Sequence, residues 1–315
     1  MFLILTAVFF LVLAVYIAFE FIIPSRRVKM NKKAVLITGC DSGFGNMLAR
    51  RLDELGIPVF AACLTNEGAE VLQSCTSERV ATLICDVTNH EDIEKMHYTI
   101  DQVCKLQGIQ LWAVVNNAGI GTGWLVELNP IEVFKRVIDV NLMGVIAVTK
   151  MMLPLVRECK GRVINVASML GRFALPGLSA YAASKFGVEG FSDSLRREML
   201  QWGVKVVLVE PGFMKTPMCD KDRVKEFQKD LWARAEPTIK KEYGGTEFFD
   251  SECKKSQEFL ETTTQDPVIV IDALIESILS VSPKSRYLLG KDATLFHIIS
   301  WLPTSIQDRI YYSLA

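Results

Sequence analysis

Three histidines are all that the 315 residues contain, and the eight cysteines, at positions 40, 63, 75, 85, 104, 159, 219 and 253, never form a C-x-x-C pair. That scarcity argues against the common zinc frameworks, and the scatter is poor for a disulfide scaffold. No N-x-S/T glycosylation acceptor occurs, which agrees with reduced thiols in a cytosol-facing chain. An excess of charge is missing too: the formal net is -1, so no basic field invites nucleic acid. Internal repeats, low-complexity tracts and Pro/Gly linkers are absent, and the length suffices for one large domain with a sizeable core.

What is present begins with an apolar run. From Phe2 to Ile23 the segment "FLILTAVFFLVLAVYIAFEFII" carries one charge, Glu20, and is long enough to cross a bilayer's hydrocarbon. It lacks the basic start and small-residue cleavage site of a secretory signal, so residues 1–23 read as a membrane anchor. Arg26, Arg27, Lys29, Lys32 and Lys33 follow. Residues 24–32 are then a basic juxtamembrane linker, and the positive-inside tendency places the remaining chain in the cytosol.

Beyond the anchor, short β-branched runs at 33–39, 57–64, 79–87, 111–119, 161–168 and 204–212 alternate with stretches of helical period. Nearly continuous apolar runs of this length suit strands buried on both faces. The alternation predicts an α/β fold, a Rossmann-like doubly wound parallel sheet with helices on both faces, as one domain over 33–290. Residues 213–265 break the rhythm: they hold no strand-like run, many charges, and Val224, Phe227, Leu231 and Trp232 at helical spacing. This insertion reads as a helical surface excursion and as a lid over the strands' carboxyl ends, where open α/β sheets bind ligands. A further helix at 267–281 and a strand at 285–290 close the sheet. The tail, 291–315, is apolar with aromatic residues, suited to packing on the domain or resting at a membrane interface.

The first strand leads through "TGCDSGFG" (38–45) directly into a helix. Gly39, Gly43 and Gly45 allow a tight turn and close backbone approach to a diphosphate, which the N–H groups of the helix start would hold. Ser42 and Phe44 lie in the same turn. At the end of the second strand an acid would normally grip the adenosine ribose, but the chain offers Cys63, Leu64 and Thr65. No Arg or Lys stands there either, so a 2'-phosphate finds no cation, and NAD is favoured over NADP. Asp86 and Val87, after the third strand, are placed to wall the adenine; "DVTNHED" would equally start a helix.

Three further polar groups follow in order. Asn141 lies inside a helix pattern from 130 to about 157, Ser168 ends the strand "GRVINVAS", and "YAASK" sets Tyr181 and Lys185 four apart at a helix start. A four-residue step puts two side chains on one helical face. Oxidising an alcohol needs a base for the hydroxyl proton, and a free tyrosine is too weak at neutral pH. An ammonium on the same face, helped by a cationic nicotinamide, favours the phenolate. Tyr181 is thus the candidate base, Ser168 a hydrogen-bond partner for the substrate oxygen, Lys185 also a grip on the nicotinamide ribose, and Asn141 the seat of a proton-relaying water.

In this order, "TGCDSGFG", "NNAG" (116–119), Asn141, Ser168, "YAASK" and "PG" (211–212) resemble the short-chain dehydrogenase/reductase family, as does the interval of thirteen from Ser168 to Tyr181. The resemblance implies Asn141, Ser168, Tyr181 and Lys185 as a catalytic tetrad. It also implies Asn117, Ala118 and Gly119 as the wall of the adenine and ribose site, and Thr216 as a ligand of the nicotinamide carboxamide. "ITGCDSGFGN", "AACLT" and "VEGFSDSLRREM" are similar to the membrane-bound branch of retinol and hydroxysteroid dehydrogenases, which generally prefer NAD and reside in the endoplasmic reticulum. That likeness implies a lipophilic alcohol as substrate, and Trp124, Met169, Phe173, Leu175 and Phe213 are the apolar candidates for its pocket. A D-beta-hydroxybutyrate-type dehydrogenase and a catalytically silent nucleotide-binding protein are the alternatives. A homodimer is left open.

Overall fold

The structure, a computed structural model, describes Thr6, Val8 and residues 26–121 and 123–314. The anchor read at 1–23 otherwise lies outside the described residues. Among the described residues the 28-residue stretch Ile131–Glu158 has the length and hydropathy of a membrane span. Val148, Met152 and Val156 from it pack into the sheet, however, so it is a core element.

Seven short strands form the sheet: β1 (Lys33–Thr38), β2 (Val59–Cys63), β3 (Val80–Ile84), β4 (Gln110–Asn116), β5 (Arg162–Val166), β6 (Lys205–Pro211) and β7 (Arg286–Leu289). All pair in parallel, in the order β3-β2-β1-β4-β5-β6-β7. Helices α1 (Gly43–Glu54), α2 (Asn66–Ser74), α3 (His90–Gln107), α4 (Ile131–Ile138), α5 (Gly144–Glu158) and α6 (Ser179–Glu198) alternate with the strands. The insertion holds α7 (Lys221–Arg234), α8 (Pro237–Glu242) and α9 (Gly245–Thr263); α10 (Val268–Leu279), α11 (Lys291–Ser300) and α12 (Thr304–Leu314) complete the chain.

Strand residues alternate between two cores. Val35, Ile37 and Val115 meet Leu48 and Leu52 of α1 and Leu274 and Ile278 of α10. Ala34, Leu36 and Val114 meet Met96 and Ile100 of α3 and Met152 and Val156 of α5. Both faces of β1, β2, β4, β5 and β6 are therefore dry, which is why their runs lack the polar alternation of a half-exposed strand. Strand β3, expected to be buried on both faces, lies at the sheet edge and is partly exposed, Ile84 included. Truncating Leu36, fully buried, to alanine would cost about 2–5 kcal/mol.

The chain reverses its winding direction between β1 and β4, opening a crevice at the strands' carboxyl ends. Over it the insertion rises from a narrow base. Met214 and Gln265 form a parallel bridge, with Gln265 N–H donating to Phe213 O at 2.9 Å and Lys215 N–H to Gln265 O at 2.8 Å. Asp292 of α11 clamps this base, accepting from Phe213 N–H and from the Gln265 amide, each at 2.7 Å. The insertion carries its own small core, in which Trp124 touches Trp232 and Phe249 with ring centroids 6.0 Å apart in each case.

Two sequence expectations change here. The helix expected over 130–157 is interrupted by a π-turn at Asp139–Met143, a wider coil that apolar periodicity does not reveal. The segment before β1 is pinned to the domain: Val28 N–H donates to Leu279 O at 2.6 Å, and Val28 and Met30 pack on the core.

Candidate active site

Between β1 and α1 the backbone turns through Gly39, at φ +71°, and Gly43, at φ +59°, in the left-handed region that glycine enters freely. A Cβ on Gly39 would lie 2.7 Å from the Ala118 Cα. Asn117 locks the turn, donating from its amide to Thr38 O at 2.9 Å and Gly39 O at 3.1 Å. Ser42, at the N-cap of α1, makes no side-chain cap bond, so first-turn N–H groups remain for an anion. Thr216 faces Gly43 across the turn. This cradle, which side chains at the glycines would fill, fits a dinucleotide diphosphate.

Gly45 plays the packing part of the motif's third glycine. A Cβ there would sit 2.3 Å from Gly39 O and 2.6 Å from Asn117 Nδ2. It does not line the crevice; its absent side chain lets α1 pack against the turn.

The missing acid at the end of β2 has a counterpart. Asp41, from the glycine turn, reaches across to accept hydrogen bonds from Leu64 N–H at 2.7 Å, Thr65 N–H at 3.0 Å and the Thr65 hydroxyl at 2.7 Å. A carboxylate thus stands at the β2 end although no acid occurs in that strand's sequence. Asp86 is spent locally: one oxygen accepts from Thr88 N–H and its hydroxyl. The cap of α3 is Asn89.

One cavity of about 1790 Å³ runs from this cradle to the insertion. Its wall includes Gly39, Ser42, Gly43, Phe44, Leu64, Asp86, Val87, Asn117, Ala118, Gly119 and Thr216, together with Ser168, Tyr181 and Lys185. Trp124, Met169, Phe173, Leu175 and Phe213 also line it. Asn141 does not. It is fully buried, its oxygen accepting from Ile120 N–H at 2.8 Å while its amide donates to Ile120 O at 2.9 Å and Ser184 Oγ at 3.1 Å. With both ends engaged, its side chain holds the Ile120 loop against α6.

Ser168 ends β5 in extended backbone. Its hydroxyl accepts from Leu170 N–H at 3.1 Å and has one proton to give, either to Pro211 O at 3.3 Å or to the Tyr181 phenol. Lys185 is buried, donates to Val166 O at 2.9 Å and stands 5.5 Å from the Tyr181 ring centroid. Tyr181 and Lys185 therefore do share one face. Burial lowers the Lys185 ammonium to about 8, against an upward pull from Glu189. Burial, with Cys219 adding to it, pushes the Tyr181 phenol well above its usual range, and the Ser168 hydrogen bond opposes the rise.

Beneath Lys185 lies a buried ionic lattice. Glu210, fully buried on β6, accepts a fork from Arg172 at 2.8 and 2.9 Å and a bond from Arg286 at 2.6 Å. Arg286 also pairs with Glu189 and Asp193 of α6. The lattice fixes α6 to β6 and β7 and so sets the height of the Tyr181–Lys185 turn.

Sequence reasoning missed several wall residues. Met218, Cys219, Gln228 and Tyr311 line the cavity from the insertion and the C-terminal helices, where no local motif marks them.

The comparisons with known proteins agree with this geometry. The short chain dehydrogenase family model matches residues 33–226. Retinol dehydrogenase 7 of Rattus norvegicus is 45% identical over 90% of this chain and 89% of its own length. The 17-beta-hydroxysteroid dehydrogenase type 6 of Bos taurus is 44% identical over 89% of this chain and 88% of its own. Among solved structures, a short-chain dehydrogenase from Streptomyces avermitilis superposes with a TM-score of 0.67 at 25% identity, covering 90% of this chain and 94% of that one.

Proposed function

The chain belongs to the short-chain dehydrogenase family, and from that premise we propose that it is a membrane-anchored oxidoreductase using NAD(H) on a lipophilic alcohol or its carbonyl, of the retinoid or hydroxysteroid class. One observation carries the reading: Tyr181, Ser168 and Lys185 share a single cavity with the glycine cradle and an aromatic, Met-bearing wall. The named activities of the two curated relatives support the substrate class.

A nicotinamide cofactor in the cradle would supply the hydride acceptor or donor. The chain's own residues handle the proton. Tyr181 takes the hydroxyl proton in oxidation and returns it in reduction, by microscopic reversibility. Burial favours the neutral phenol, so removing its proton requires help, and the Lys185 ammonium beside the ring and the Ser168 hydroxyl give it. Ser168 also orients the substrate oxygen. Asn141 is a positioning residue, holding the loop that forms the cavity's side wall.

Asp41 favours NAD. Its carboxylate at the β2 end would repel a 2'-phosphate while accepting a hydrogen bond from a ribose hydroxyl. For the membrane, the run 2–23 supports an anchor in the endoplasmic reticulum with the domain in the cytosol. Leu295, Ile298, Trp301, Ile306 and Tyr312, exposed on α11 and α12 or the turn between them, support a second contact at the bilayer surface.

Detergent-solubilised full chain assayed with retinol, androstanediol and hydroxybutyrate, each with NAD and NADP, tests the reading. Turnover of a lipophilic alcohol with NAD is expected. Activity confined to hydroxybutyrate would select the alternative dehydrogenase.

A further inference from the structure

The insertion's inner wall mixes apolar Val224, Phe227, Phe259 and Leu260 with charged side chains such as Arg223 and Lys255, and its one buried polar side chain is an amide. Gln228 of α7 is only 4% exposed and belongs to the cavity wall. Its Nε2 donates to Ser256 Oγ of α9, another wall residue, at 3.0 Å. Its Oε1 has no hydrogen-bond partner among the described residues. The other buried side-chain atoms left unpaired in the same way belong to Asn116, Arg157, Arg162, Ser179, Glu189 and His297, none of which lines the cavity. Among these residues Gln228 alone lines the cavity, its Oε1 lying just behind the wall surface.

A buried amide oxygen without a donor is costly, and the cost vanishes when a ligand supplies one. We infer that Gln228, steadied by Ser256, is the specificity-determining residue that reads a second oxygen function on the substrate, a hydroxyl carried away from the reacting carbon. The amide oxygen accepts from that hydroxyl; an amide turned end for end would offer NH₂ to an oxo group and take the Ser256 proton instead. The preferred substrate is then a lipophile oxygenated at both ends, such as a steroid diol, over a mono-alcohol with a purely hydrocarbon far end. The inference rests on the lipophilic-alcohol reading of the site and narrows it.

The test compares an androstane-3,17-diol with the androstan-3-ol lacking the second oxygen, using full chain in detergent with NAD. The expected wild-type ratio of kcat/KM, diol over mono-ol, is about 10 to 100, as expected for one hydrogen bond to an otherwise orphaned buried group. In Gln228→Met, of similar length and apolar, the ratio is expected to fall to about one; in Ser256→Ala it should fall partway. NADH binding by fluorescence checks that each variant is folded. A wild-type ratio near one, or an equal loss for both substrates in Gln228→Met, overturns the inference, and the wild-type ratio decides even where a variant does not fold. Failure of both compounds with wild-type protein would instead bring down the lipophilic-alcohol reading itself.

Discussion

Asp41→Asn is the sharpest probe of the cofactor reading, because it removes one charge while keeping the side chain's shape. A phosphate monoester carries about 1.5 to 2 negative charges at neutral pH. Two unit charges about 4 Å apart interact by about 1 kcal/mol in water and about 4 kcal/mol near a protein surface. Asp41 is half-buried, so a repulsion of about 1–3 kcal/mol toward a 2'-phosphate is reasonable, or about 5- to 150-fold in selectivity. The NAD-over-NADP ratio of kcat/KM should therefore drop by that factor, chiefly through better use of NADP. A second consequence comes from the three donors that Asp41 satisfies. Asn presents one oxygen and one NH₂, so the Leu64 or the Thr65 N–H loses its acceptor, at about 1 kcal/mol and a fall in Tm of about 2–4 °C. Steady-state kinetics with both cofactors and a thermal melt measure the two effects. An unchanged cofactor ratio in a variant whose melting shows the expected loss would refute the charge argument, since the contact would have been broken without effect on selectivity.

Two other perturbations test separate parts of the account. Lys185→Met should abolish turnover yet stabilise the fold near neutral pH. Burial lowers this ammonium from 10.5 to about 8, so below pH 8 both folded and unfolded chains carry the proton and the full penalty applies, about 3 kcal/mol. As pH rises from about 8 toward 10.5 the unfolded chain holds the proton that the folded one has released, and the penalty fades. The variant's advantage in chemical denaturation should shrink over that window, and an advantage independent of pH would contradict the desolvation cause. Deleting residues 1–23 should release the protein from membranes in flotation assays with its cofactor binding retained. Continued flotation would move the anchoring role to α11 and α12.

Much of this was legible in the sequence because it is local. Strand runs such as "AVLI" (34–37) are apolar on every residue since both faces are covered, and the four-residue step from Tyr181 to Lys185 fixes one helical face without any tertiary information. What the sequence hid depends on distant partners. Asp41 meets Leu64 and Thr65 more than twenty positions on, so the acid at the β2 end cannot be found by inspecting β2. Asn141 reads as an available amide until the π-turn at Asp139–Met143 aims it at Ile120 and Ser184. Gly45 is marked by the motif's spacing, but the atoms that require it, Gly39 O and Asn117 Nδ2, come together only in the fold. Gln228 is indistinguishable in sequence from any polar residue on a charged helix, and only its burial separates it.

The most direct test of the central claim is rapid-mixing of excess full-chain enzyme, NAD and a lipophilic alcohol, following reduced nicotinamide in wild type and in Tyr181→Phe. The account predicts a single turnover in wild type and, in the variant, a loss of about a hundredfold or more in that step, with NADH affinity within a few-fold of normal. A variant that forms reduced nicotinamide at near the wild-type rate would show that the proton leaves by another route and that Tyr181 is not the base.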